Sequence, residues 1–497
     1  MKALYKRILW VLSLLLIVWT GSGCKKDWLE RLPQGRYTED DIPAGSLEGQ
    51  VFAAYAGLRQ NGFSGVAYLA VHSIRSDDAD KGSAVGDGVD AENFFDNFQY
   101  VTNFWLLNDY WTHHFDLIAL ANAVITAADS LETDSATAIN VGEAKFLRAY
   151  AYFDLVRAFG EVPLIDFRIV EPEDAYVPKS SVNEIYELID ADLEEAVSVL
   201  PLNWPGFPGR ITRGAALALQ AKTFLYRDQW AAALAAAEGV MNTGMYDLSL
   251  PYEAIFREEN ENSRESVFEI QALYTQGQTG YGINYATHQG VRGAGEWNLG
   301  WGWNTPTELL AQAFEPGDPR KDATLLYSGQ VNTPYGEEVP PATANVPRPY
   351  WNKKVYTNPS IRRSTGSQAG QWFNMRVIRY ADVVLMAAEA ANELGSTQKA
   401  LDYLEMVRAR ARGSDNSVLP PVTTTDQVAL REAIRHERRV ELGMENERFF
   451  DLVRWGIVQE VMHAAGKTGY QPRHRYLPIP QQEIDRSGGI IEQNEDY

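Results

Sequence analysis

Residues 212–248 read TRGAALALQAKTFLYRDQWAAALAAAEGVMNTGMYDL. A helical stretch rich in alanine runs up to a short break, Arg227-Asp228-Gln229-Trp230, and a second Ala-rich helix follows it. Small residues on both faces let two antiparallel helices approach closely. This is the pattern of a helix–turn–helix pair of tetratricopeptide type. Residues 378–411, IRYADVVLMAAEAANELGSTQKALDYLEMVRARA, repeat the design with Gly395 at the break. The two copies are not near-identical, so the repetition is architectural.

Helical periods extend outward from this pair. LEGQVFAAYAGLR, 47–59, reads as a first amphipathic helix. In 105–131, Trp111, Phe115, Ile118, Ala119 and Asn122 fall on neighbouring turns. In 141–165, Phe146, Ala149, Tyr150, Phe153, Leu155 and Val156 give a wide apolar face, with Gly160 as a stop and Pro163 preventing re-entry. Ser181 and Glu184 have capping-box spacing at the head of another helix. Two stretches break the pattern. Residues 75–99, RSDDADKGSAVGDGVDAENFFDNFQ, have no helical period and read as a loop. Residues 271–365 are dominated by Gly, Pro, Asn and aromatics. A loop this long inside a compact domain marks function, and its Trp and Tyr content is unlike that of a disordered chain.

The N-terminus carries a different message. Lys2, Lys6 and Arg7 precede the apolar run ILWVLSLLLIVW, 8–19, and small residues then lead to Cys24, the only cysteine of the chain. Basic, apolar, small is the layout of a secretory signal. The run is shorter than the roughly 20 residues a membrane-spanning helix needs. The segment resembles a bacterial lipobox, which makes Cys24 the lipid-attachment residue and the first residue after a signal peptide of 1–23. Gly21 stands where such a box usually has Leu. With Cys24 so placed, disulfides play no part in the fold.

Charge narrows the partners. The chain carries a net −21, and loss of residues 1–23 removes Lys2, Lys6 and Arg7 and takes it to −24. Long-range repulsion therefore works against nucleic acid and anionic membrane surfaces. Neutral ligands face no such repulsion. Catalytic signatures are absent. Gly466-Lys467-Thr468 lacks the Gly that a phosphate loop needs at Val461. The acids of Asp77–Gly82 do not alternate as a calcium loop requires. GFSGV, 62–66, lacks the spacing of a nucleophile elbow, and no His-Glu-x-x-His pair occurs. His113 and His114 are adjacent, so a helix points them apart. No cofactor or metal is expected. The Arg- and Glu-dense run 435–455 mixes its signs and reads as a structural ion network.

Five segments together resemble the SusD/RagB family of outer-membrane nutrient-binding lipoproteins. GEAKFLRAYAYFDLVRAFGEVPL (142–164) and GRITRGAALALQAKTFLYRDQW (209–230) are similar to its two helical signatures. Residues 301–326 carry its Phe-x-x-x-Asp-x-Arg, here Phe314 to Arg320. RHERRVELGMENERFFDLVRWG (435–456) is similar to its Arg/Glu run, with Asn446 where Gly is usual; Asn tolerates left-handed backbone best of the non-Gly residues. YLPIPQQEIDRSGGIIEQNEDY (476–497) is similar to its terminal segment. The resemblance implies a mainly α protein, four tetratricopeptide-like helix pairs forming a right-handed superhelical scaffold, with a loop-rich half containing little strand. It implies one compact unit: an N-terminal SusD-like helical region 24–270, a loop-rich aromatic region 271–365 and a C-terminal helical region 366–497. It also implies a non-enzymatic lipoprotein at the outer membrane, facing outward, that captures oligosaccharide and delivers it to a SusC-like TonB-dependent transporter. Peptide binding on the same scaffold is the alternative, and a glycoside hydrolase, which needs a pair of carboxylates, is the third reading.

Sugars present flat C–H faces and rims of hydroxyls, so exposed aromatic rings beside polar groups suit them, and loops on a rigid scaffold carry such sites. Two loops qualify. One supplies Arg75, Asp78, Lys81 and Phe94, together with Trp105 at the following helix; the other supplies Tyr281, Tyr285 and Trp297. The expected ligand-binding residues are Trp105, Tyr281, Tyr285, Trp297, Arg75 and Asp78. Trp301 and Trp303 lie inside a family motif and are expected in the core.

Overall fold

The computed structural model describes residues 46–132, 134–274 and 281–497. Cys24 and the rest of the signal and lipobox reading lie outside them. Nine helices of ten residues or more stand out among the described residues: α1 (Leu47–Gly57), α2 (Trp105–Ala128), α3 (Ser135–Phe159), α4 (Val182–Val199), α5 (Arg213–Leu225), α6 (Trp230–Asn242), α7 (Tyr380–Glu393), α8 (Thr397–Arg412) and α9 (Gln427–Glu441). Each of α1 to α8 packs on the next, and α9 closes on α7 and α8. The mainly helical fold class and its serial helix pairs follow the pattern read from residues 212–248.

Local chemistry sets the ends. Ser181 and Glu184 make the reciprocal capping box at α4. Thr212 caps α5 by accepting from the Ala215 N–H. The breaks inside the two Ala-rich pairs each turn on one left-handed residue, Asp228 at φ 56° and Gly395 at φ 73°. Close approach is real at Gly214, where a Cβ would lie 2.5 Å from the Tyr246 ring. One apolar core runs through all these pairs, from Ala54 to Ile491.

Among the described residues, strand is confined to four two-stranded antiparallel sheets. β1 (Ala79–Gly82) pairs with β5 (Trp303–Pro306), β2 (Val162–Pro163) with β3 (Lys179–Ser180), β4 (Ser266–Ile270) with β8 (Met375–Arg379), and β6 (Leu325–Tyr327) with β7 (Tyr350–Asn352). The β1–β5 register sets Gly82 opposite Trp303 and Ala79 opposite Pro306. It brings together the two loops that the sequence singles out.

Buried charge ties the loop-rich half to the helices. Arg320 binds Asp318, Glu437 and Glu441 with no side-chain exposure at any of the four. Arg379 binds Glu265, Glu441 and Glu445. Arg438 bridges Asp382 and Asp451. The mixed-sign run 435–455 is therefore a structural ion network. Asn446 sits at φ 71°, and its amide donates to the buried Tyr285 hydroxyl at 3.0 Å.

Candidate functional site

The junction of the two loops is built on β1 and β5. Lys81 is almost wholly buried. Its amino group donates to the Asp87 carbonyl and lies 5.1 Å from the Trp303 ring. This folds the turn 83–88 down onto Trp303, with Gly88 so close that a Cβ there would sit 2.7 Å from the ring. Asp87 accepts from the Ser83 hydroxyl at 2.6 Å. Its carboxyl is held below the usual carboxylate range: its limited burial works the other way, and Ser83, Lys81 and Arg292 outweigh it.

Trp303 is buried, as expected from its motif, but Trp301 is not. Gly302 adopts φ 69° between them and breaks the alternation that would have put both rings on one face. Trp301 is 38% exposed. Its backbone N–H donates to the Thr287 carbonyl, and its ring meets His288 and Trp303 edge-on at 4.4 and 5.7 Å. Burial lowers the His288 pKa to about 3, so this support is a neutral ring. Arg292 reaches the same junction: a Cβ on Gly302 would lie 2.7 Å from the Arg292 Cβ, and the guanidinium is 4.0 Å from Asp87. An exposed indole held rigidly can cover a flat C–H face, while the Arg292 guanidinium and the Asp87 carboxylate belong to the same β1–β5 junction and can meet hydroxyls.

The other expected residues divide. Arg75 is buried, donates to the Val71 carbonyl and lies 4.0 Å over the Phe449 ring. Asp78 is buried and paired with Arg439 at 2.6 Å, while Asp77 takes Arg448 at 2.8 Å. Tyr285 is buried on Asn446, and burial pushes its hydroxyl up to about 12. These three expected ligand residues are instead buried fastenings of the interior, although Arg75 Nη2 and Asp78 Oδ2 have no hydrogen-bond partner among the described residues. Phe94 is buried against Phe104 and Tyr100. Trp105 is 43% exposed at the head of α2, next to Phe104 in that aromatic cluster. Tyr281 is 50% exposed with the Arg59 guanidinium 5.8 Å from its ring. Trp297 is half-buried against Tyr356.

Lys467, from the discarded phosphate-loop motif, has a positioning role. Its amino group donates to the Ile74 and Ala79 carbonyls at 2.9 and 2.8 Å and to Asp96 at 2.9 Å. It thereby pins the start of β1. Arg292 and Lys467 carry no signal in the sequence that would have drawn them to this loop.

Residues 264–497 match a family model described as the SusD family, and residues 65–225 match one described as starch-binding, associating with outer membrane. The chain belongs to the SusD/RagB family. A SusD-like protein of Formosa agariphila is 28% identical over 98% of this chain and 99% of its own length. Among solved structures, a laminarin-binding SusD-like protein is 28% identical with a TM-score of 0.75, the alignment covering 91% of this chain and 99% of that one. Surface glycan-binding protein A from Bacteroides fluxus is 26% identical with a TM-score of 0.76, over 92% of this chain and 100% of its own. This SusD-family chain thus shares its fold with relatives along nearly its whole described length.

Proposed function

We propose that this protein captures oligosaccharide at the cell surface and delivers it to a partner TonB-dependent transporter of the outer membrane. It acts by binding and not by turnover. Lipid on Cys24 anchors it to the outer membrane, facing outward. The observation that carries the reading is the Trp301 ring, exposed and braced by His288 and Trp303 where the two loops meet. Its solved relatives, described as laminarin-binding and as surface glycan-binding, support a glycan as the ligand class.

Affinity electrophoresis against a panel of soluble glycans tests capture. At least one glycan should retard the wild-type protein, and Trp301→Ala should relieve that retardation. Incubation with the retarding glycan should release no reducing ends. Mild-detergent extraction should recover the protein with a large barrel transporter. Retardation by no glycan, or release of reducing ends, would overturn the reading.

A further inference from the structure

We propose that the oligosaccharide taken at Trp301 is anionic, bearing sugar carboxylate or sulfate groups, and that Arg292 and Arg348 read that charge. The inference rests on the glycan-capture reading and adds the ligand's charge class to it.

Most of the described arginines are tied to carboxylates or carbonyls. Arg320, Arg379, Arg438 and Arg454 each serve at least two buried acceptors. Arg292 differs. Among the described residues its guanidinium makes no hydrogen bond, and its only ion-pair neighbour is Asp87 at 4.0 Å. Its side chain is 41% exposed. Arg348 approaches the same turn from the loop before β7. It donates Nε to the Ser83 carbonyl at 3.0 Å, and both terminal nitrogens remain unbonded among the described residues. The Val85 N–H fixes this second loop by donating to the Asn345 carbonyl.

The acid at this junction is already engaged. Asp87 holds the Ser83 hydroxyl, and Lys81 is buried directly beneath the turn. The unbonded donors at this turn are therefore guanidinium N–H groups, those of Arg292 and the terminal nitrogens of Arg348. A planar fork of N–H groups matches the two oxygens of a carboxylate or sulfate, and charge-assisted bonds of this kind are roughly twice as strong as neutral ones. The net charge of −21 does not defeat this. Screening at physiological salt confines each charge to about 8 Å, so the cations nearest the ligand dominate.

Isothermal titration at fixed ionic strength decides it, using three size-matched oligosaccharides: a neutral laminarin fragment, a polygalacturonate fragment and a sulfated carrageenan fragment. One of the two charged probes should bind about tenfold or more tightly than the neutral one, a difference of about 1.4 kcal/mol. Which of the two wins separates carboxylate from sulfate. Arg292→Met should lower the charged-to-neutral affinity ratio by about that factor, Arg348→Met should lower it in the same direction, and Arg292→Lys should restore part of it. Added NaCl should weaken the charged probe more than the neutral one. Equal or tighter binding of the neutral probe overturns the charge assignment. So does an Arg292→Met ratio equal to wild type. In either case Trp301-dependent retardation by a neutral glycan leaves the capture reading standing. Failure of all three probes, with no glycan retarding the protein, removes both.

Discussion

Trp297 and Trp301 lie four residues apart and should respond oppositely to truncation. Trp301 is braced edge-on but exposed, so Trp301→Ala should weaken glycan binding by about tenfold, a loss of about 1.4 kcal/mol, and leave the melting temperature near wild type. Trp297 is half-buried against Tyr356. Trp297→Ala should cost about 2 kcal/mol of stability, near half the cost of a fully buried Trp. Denaturant titration and glycan binding on both variants separate the two; a Trp301→Ala protein that binds normally but melts early would move its ring to the core. The sequence placed these rings the other way round for a physical reason. Trp301 and Trp303 share one family motif and are both expected in the core, and only the left-handed Gly302 between them shows that the first ring turns outward. Arg75 and Asp78 were misread for a different reason. Their loop has a polar, turn-rich composition, but the partners of Asp77 and Asp78 are Arg439 and Arg448, more than 350 residues away, and local pattern carries no trace of such a pairing.

At the level of elements, local rules and outcome agree. The capping box at Ser181 and the Ala-rich pairs are set by neighbours within a few residues and appear where the sequence puts them; in the mixed-sign run the Asp451–Arg454 pair is as local, while Arg438 reaches back 56 residues to Asp382. The packing of α5 on α6 and of α6 on α7 depends on side chains that end at Cβ. Ala237 of α6 is wholly buried in that contact layer. Ala237→Leu should therefore destabilise the protein by about 1–3 kcal/mol through overpacking, although Leu is a good helix former. Urea unfolding monitored by circular dichroism checks it, and a midpoint equal to wild type would mean that the helices stand further apart than described. The β1–β5 pairing was not legible, because two four-residue strands more than 200 residues apart leave no periodic signal. Yet it is this pairing that turns two loops into one site.

For the whole molecule, two properties follow from charge and covalent chemistry. If Cys24 carries lipid, Cys24→Ala should move the protein from the membrane fraction to the soluble one with its melting temperature unchanged, since two or more acyl chains anchor stably where one does not; persistence on membranes after carbonate washing would refute the anchor. The second property is the response to acid. Burial alone would raise the Glu441 pKa, but Arg410, Arg379 and Arg320 outweigh it and hold the group at about 2. Asp382 and Asp154 are likewise held far below the usual carboxylate range against their burial, the first by Lys222 and Arg438, the second by His72 and Arg157. Each folded-state value lies below its unfolded value, so the stability these groups contribute is fully present above about pH 4.5 and is lost as pH falls through the folded values. Glu261 has the opposite sign. Burial raises it to about 8 against Arg376, so the folded state holds a proton there that the unfolded chain has released, and stability declines as pH rises from about 4.5 to about 8. Urea midpoints should therefore fall steeply between pH 4 and pH 2, and decline more gently from about pH 4.5 to about pH 8. Glu261→Gln, which keeps the shape and removes the titration, should flatten that upper decline and leave the acid limb intact. A variant whose midpoints track wild type on both limbs would show that Glu261 is ionised in the folded protein at neutral pH.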